Sequence, residues 1–162
     1  MNSRPRLRYR QPGRCLLLAV CLTLVWLPGP SPSADNSPPP HVLILSSYHL
    51  GYTWSDDIIA GIRDAFVEAG QAVEFSCEFL DAKRYAETSL YHDHMANVLA
   101  LKYRARPVDL ILLSDNSAFD FATSHYRKLF PQTPVVFCGI NDYTPAMRQK
   151  IPHSTGVAEI KE

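Results

Sequence analysis

Apolar positions between residues 41 and 160 alternate between two spacings. A continuous apolar run over 41–45 is typical of a strand buried on both faces. The next segment repeats apolar residues at helical spacing and ends at Gly70, which predicts a left-handed C-cap, with Thr53 or Ser55 as the N-cap. The predicted apolar face of this helix consists of Ile58, Ile59, Ile62, Ala65, Phe66 and Ala69.

Strand-like and helix-like segments keep alternating after Gly70. Further strands are predicted over 73–79 (an edge strand, from its polar alternation), 108–113, 134–140 and 155–160, and helices over 88–103, 117–129 and 144–150. Strands separated by helices imply right-handed crossovers and a parallel sheet. The sequence therefore predicts an α/β fold, a three-layer sandwich with strand order 2-1-3-4-5.

This strand order bears on Cys77 and Cys138, which fall on the second and fourth predicted strands. Two strands lie between them, so at about 4.8 Å per strand they are roughly 14 Å apart, beyond disulfide reach. We expect both to be buried free thiols.

The first 34 residues resemble an export signal. Arginines precede an apolar run over 15–27, which is shorter than the roughly 20 residues that span a bilayer. We predict a signal peptide over 1–34, a proline-rich spacer over 35–40 and a periplasmic location. The alternative is an uncleaved inner-membrane anchor.

Charge divides at the same place. Five of the sixteen basic residues and no acidic residue lie in the first 34 positions, leaving sixteen acidic and eleven basic residues, a net charge of −5. Nucleic acids and anionic lipids bind clustered Lys and Arg, so neither is an expected partner.

Candidate chemistry lies where the predicted strands end. Ligands of parallel α/β sheets bind beyond the carboxyl ends of the strands, and aromatics with a few polar groups are typical of small-ligand pockets. The loop after strand 1 holds Ser47, Tyr48, Tyr52 and Trp54, although Tyr52 and Trp54 could merely cover the sheet edge. After strand 3, one of Asp115 and Asn116 is expected to cap the helix and the other to face the cleft. Asn141 and Asp142, after strand 4, face the cleft or form a turn.

Enzyme and metal chemistry find little support. The sequence contains no G-x-S-x-G elbow and no glycine-rich phosphate loop. His92 and His94 lie two apart on a predicted helix and point about 200° apart, so we expect solvated histidines rather than metal ligands. Asp56, Asp57 and Asp115 loosely imitate a receiver domain, but the acidic pair lies about ten residues beyond strand 1. We predict no enzyme activity, catalytic residue, metal or cofactor.

Four segments in order carry a family resemblance: VLILSSYHLGYTWSDDIIAGIRDAF, EFLDAKR, DLILLSDNSAFDF and PVVFCGIND. Over 41–159 the chain resembles the ABC-transporter substrate-binding-like family, most closely the periplasmic sensor regions of membrane histidine kinases. The resemblance implies one lobe of a periplasmic-binding-protein fold, in which two lobes close on a solute. On this basis 41–162 is expected to be the N-terminal lobe, crossing toward a second lobe near 155–157, with that second lobe absent from the chain. The implied ligand-binding residues are Ser47, Tyr48, Tyr52, Trp54, Asp115, Asn116, Asn141 and Asp142.

The resemblance leaves three functional expectations. The first is a solute-recognition lobe acting as the sensory input of a histidine-kinase-type signalling protein. The second is the solute-binding component of an ABC transporter, and the third is a one-lobe remnant or interaction module that binds no small molecule. Expected partners are an aromatic or amino-acid-like solute, a second lobe, and a signalling membrane protein or permease.

Overall fold

The structure, a computed structural model, describes residues 37–159. The predicted signal peptide and residues 35 and 36 of the spacer lie outside this range, and residues 37–40 are exposed and irregular. The elements are β1 (His41–Ser46), α1 (Thr53–Glu68), β2 (Glu74–Phe79), α2 (Ser89–Lys102), β3 (Leu110–Ser114), α3 (Asp115–Leu129), β4 (Val135–Asn141), α4 (Pro145–Arg148) and β5 (Ser154–Glu159).

The strands form one parallel sheet with the order β2-β1-β3-β4-β5. Alternate residues of β1 point into separate cores, Val42 and Ile44 toward α1 and Leu43 and Leu45 toward α2 and α3. The predicted three-layer sandwich is therefore confirmed, and β2 is an edge strand as expected.

The ends of α1 match the prediction only in part. Gly70 has φ +64° just beyond the helix, as a left-handed cap requires. At the other end Tyr52 is the N-cap and makes no side-chain capping bond. Capping by Thr53 or Ser55 was the wrong expectation: Thr53 is already helical, and the buried Ser55 hydroxyl accepts a hydrogen bond from Ser46 at 3.2 Å.

Cysteines and histidines also depart from expectation in detail. Cys77 and Cys138 are free thiols, as predicted, but each is half-buried rather than buried. Burial, and then the nearby charge of Asp115, raise the pKa of the Cys138 thiol. His92 is half-buried with its ring edge-on to Phe121 at 5.5 Å, so the expectation of a solvated histidine was wrong there.

No helix within residues 37–159 is both long and apolar enough to cross a bilayer. The same residues contain no cluster of three or more potential metal-ligating side chains.

Candidate functional site

The junction between β3 and α3 is the most constrained point at the carboxyl edge of the sheet. The strand ends at Ser114 and the helix begins at Asp115 with no intervening loop. Asp115 takes φ +71° to make this turn, although it is not a glycine and is only 6% exposed. A buried acidic residue in a left-handed conformation is a frequent feature of functional sites, because the surrounding structure must hold it there.

Ser47, the residue that follows β1, supports the start of α3. Its hydroxyl donates to the carbonyl of Ser114 at 2.7 Å and accepts from the N–H of Ala118 at 2.8 Å. The side chain is fully buried, so it satisfies a helix N–H that would otherwise lack a partner. Capping of α3 by Asp115 or Asn116 was therefore the wrong expectation: the acceptor is Ser47, from the loop that follows β1.

Asn116 ties the same helix start to β4. Its Oδ1 accepts from the backbone N–H of Asn141 at 3.0 Å, and its Nδ2 donates to the Asn141 carbonyl at 3.3 Å. We call Ser47, Ser114 and Asn116 the floor, because their hydrogen bonds join the loop after β1 to β3 and α3, and α3 to β4.

The Asp115 carboxylate is held by two aromatic side chains and by Ser114. Trp54 Nε1 donates to its Oδ2 at 2.8 Å, and the Tyr48 hydroxyl lies 3.5 Å from its Oδ1. The Ser114 hydroxyl donates to Oδ2 at 3.3 Å. One carboxylate oxygen is thus well bonded, whereas Oδ1 has only the long contact with Tyr48 among the protein groups described.

These side chains surround a hollow of about 210 Å³, which we call the Asp115 pocket. Its lining consists of Tyr48, Tyr52, Trp54, Lys83, Asp115, Asn141 and Glu159. Five of the eight residues expected to bind ligand are therefore gathered here. Of the other three, Ser47 and Asn116 belong to the floor. Asp142 lies at an exposed turn and has φ +55°. No ligand contact tests any of these roles, which stay predictions.

Sequence reasoning missed Lys83 and Glu159. Both follow the carboxyl-edge rule: Lys83 lies in the turn after β2, and Glu159 is the last residue of β5. Lys83 Nζ lies 4.6 Å from the Tyr48 ring centroid and 4.2 Å from that of Tyr52, and it donates a hydrogen bond to the Tyr52 hydroxyl. We call Tyr48, Tyr52, Trp54 and Lys83 the wall.

The wall's charges are well defined at neutral pH. Burial, and then the charge of Asp115, raise the pKa of the Tyr48 phenol, so it remains a neutral donor. The hydrogen bond with Tyr52 raises the pKa of the Lys83 ammonium, so it remains a cation. The pocket thus combines phenol, ammonium and carboxylate side chains.

Two larger hollows lie elsewhere on the described surface. One, of about 560 Å³, lies between α1 and β2. Arg63 and Cys77 both line it, and the Arg63 guanidinium donates to the Cys77 sulfur at 3.7 Å. The other, of about 300 Å³, lies at the amino-terminal side of the strands, among residues that follow α2 and α3. Neither combines a buried charge with converging aromatic side chains, so size alone does not favour them over the Asp115 pocket.

Comparisons of this chain with protein-family models, with curated proteins and with solved structures find no match. The family resemblance drawn from the four sequence segments therefore stays a prediction, and the pocket must be interpreted from its own chemistry.

Proposed function

We propose that residues 41–159 form a small-molecule recognition lobe and that the Asp115 pocket is where its solute binds. The observation that carries this proposal is Asp115 itself: a buried carboxylate in a left-handed conformation, with one oxygen fixed by Trp54 and the other weakly bonded. Strain of this kind costs on the order of 1–3 kcal/mol, and residues that bear it cluster at functional sites.

The composition of the wall supports the same reading. Three aromatic side chains converge on one carboxylate and one ammonium, the mixture of apolar surface and few polar groups that small-solute sites use. Trp54 is 45% exposed although it donates to a buried group, so its ring is available to a solute. The pocket is open to solvent, which fits a lobe that closes against a second surface when solute binds.

For the biological role we propose sensory input to a histidine-kinase-type signalling protein in the periplasm. The four-segment resemblance and the signal-like pattern of residues 1–34 support this assignment. Solute delivery to an ABC transporter is the competing role. No enzyme activity is proposed, because no activated nucleophile or paired acid and base is found among the pocket residues.

A thermal-unfolding screen tests solute recognition. The full chain would be heated with amino acids, organic amines, carboxylates, sugars and nucleosides, each at millimolar concentration. A true ligand raises the midpoint in proportion to the logarithm of its concentration. Trp54→Ala should abolish this rise, whereas Tyr85→Ala, which removes a 59% exposed aromatic outside the pocket lining, should not. A rise that persists in Trp54→Ala would place binding elsewhere, and no rise with any class would contradict the proposal.

The role is tested in cells once a solute is found. Deletion of the gene should remove the transcriptional response to that solute and leave its uptake unchanged. Lost uptake with an intact response would instead favour the transporter role.

A further inference from the structure

The wall already holds an ammonium group, that of Lys83. Its nitrogen lies within 4.6 Å of the Tyr48 centroid and 4.2 Å of the Tyr52 centroid, inside the range of about 6 Å over which cation–π attraction acts. The Tyr52 hydroxyl accepts a hydrogen bond from the same group. Two neighbouring rings therefore form a position that suits an organic ammonium.

Lys83 reaches this position from outside. The residue is exposed and belongs to a turn after β2, where the N–H of Arg84 donates to the Asp81 carbonyl at 2.8 Å. Its ammonium sits at the end of a flexible four-carbon stem and can turn out into solvent without moving the backbone. Thus the Lys83 ammonium, although tethered to the chain, can leave the cation position and be replaced by another cation.

The charge left behind when Lys83 leaves is negative. Asp115 and Glu159 line the same pocket, so the lining carries a net charge of −1 with Lys83 inside and −2 without it. The weakly bonded Oδ1 of Asp115 has room for a further donor. Residues 35–162 together carry a formal net charge of −5, which also favours the approach of cations.

We propose that the Asp115 pocket selects a solute with a primary or quaternary ammonium group, and that Lys83 occupies the cation position until that solute displaces it. This inference rests on the proposed function, since it names the ligand class of the same pocket. Lys83 is here a specificity-determining residue: it competes with the solute and does not contact it in the bound state. The competing possibility is an anionic solute that Lys83 itself binds. In that case loss of Lys83 would weaken solute binding instead of tightening it.

The test is isothermal titration calorimetry on the full chain at constant ionic strength with three probes. Choline carries the cation, 3,3-dimethylbutan-1-ol has nearly the same shape without charge, and butyrate carries an anion. Each is titrated into the wild type, Lys83→Met and Arg84→Met. Arg84→Met is the matched control, because it removes one positive charge from the same turn. The Arg84 side chain contacts Leu50 and Asp81 and does not line the pocket.

Choline is expected to bind the wild type and the uncharged isostere to bind about tenfold more weakly or not at all. Lys83→Met should tighten choline binding about three- to fivefold, because the competitor is gone, and Arg84→Met should change it by less than about twofold. Asp115→Asn should weaken it by about tenfold.

Several results would overturn the inference. They are equal binding of choline and its isostere, weaker choline binding in Lys83→Met, or butyrate binding that Lys83→Met removes. Lack of choline binding also overturns the inference. The proposed function would still stand if other solutes stabilised the chain in the thermal screen. Lys83→Gln is the second variant, and circular dichroism confirms that each variant is folded.

Discussion

The floor and the wall of the Asp115 pocket are built from neighbouring residues and behave differently. Ser47 is fully buried and bonds two backbone groups, whereas Tyr48, the next residue, is half-exposed and faces the pocket. Floor contacts join four elements through backbone atoms. Wall contacts join side chains to side chains.

This difference separates stability from recognition within one loop. Loss of a floor side chain leaves buried backbone groups without partners, which costs free energy of unfolding. Loss of a wall side chain mostly exposes groups to water, which can bond them instead. Asp115 links the two regions, since its backbone makes the turn into α3 and its carboxylate faces the wall.

The largest effect is expected for Ser47→Ala. The substitution leaves the buried N–H of Ala118 without its acceptor, so the free energy of unfolding should fall by about 1–3 kcal/mol. Urea denaturation measures it. Ser124→Ala is the control, because that exposed hydroxyl bonds only the Asp120 carbonyl within its own helix, and it should change stability by less than about 0.5 kcal/mol. Equal losses in the two variants would remove the distinction between floor and surface.

A smaller effect on stability, with a larger effect on solute affinity, is expected for Trp54→Phe. An aromatic ring is kept, but the N–H that fixes Asp115 Oδ2 is lost. Stability should fall by no more than about 1 kcal/mol, because Trp54 is 45% exposed and water can take the place of its N–H beside Oδ2. Solute affinity should fall severalfold, since the carboxylate is no longer held in one orientation. A stability loss as large as that of Ser47→Ala, with affinity unchanged, would move Trp54 into the floor.

The sequence predicted the fold better than it predicted the site. Fully apolar runs such as 41–45 mark strands covered on both faces, and the helices between them fix a parallel sheet. The carboxyl-edge rule then led to the residues at and after the ends of β1, β3 and β4, which supply five of the seven residues that line the Asp115 pocket.

What the pattern could not give was the direction of each side chain within those loops. The division between Ser47 and Tyr48 depends on how the backbone leaves β1. The left-handed turn at Asp115 joins strand to helix without a loop, and a short polar run carries no sign of it. Lys83 comes from a turn beyond the edge strand, and its reach into the pocket depends on the three-dimensional path of that turn.

Asp115→Gly probes the residue that links the floor to the wall. Glycine adopts φ +71° without strain, a gain of about 1 kcal/mol, while the bond from Trp54 is lost at a similar cost. The free energy of unfolding should therefore change by less than about 1 kcal/mol although the residue is buried, and solute binding should disappear. A loss above about 2 kcal/mol would mean that the carboxylate is mainly structural. Asp115→Asn, which keeps the side-chain oxygen for Trp54, is the matched variant for binding.

The smallest effect concerns pH and lies away from both regions, at His125. Burial lowers the pKa of its imidazole; Asp93 opposes this, and His92 and Lys128 add to it. A lowered pKa in the folded state means that the unfolded chain takes up the proton more readily, so stability is full above about pH 6.5 and falls as pH drops through the folded pKa. Thermal unfolding between pH 7.5 and 5 should show a lower midpoint in acid, and His125→Gln should flatten the curve. Tyr48 and Lys83 keep their protons throughout, since their pKa values are raised. If the unfolding midpoint of His125→Gln fell in acid as much as that of the wild type, other groups would cause the pH dependence. If the midpoint fell only in the solute-bound protein, the wall would cause it.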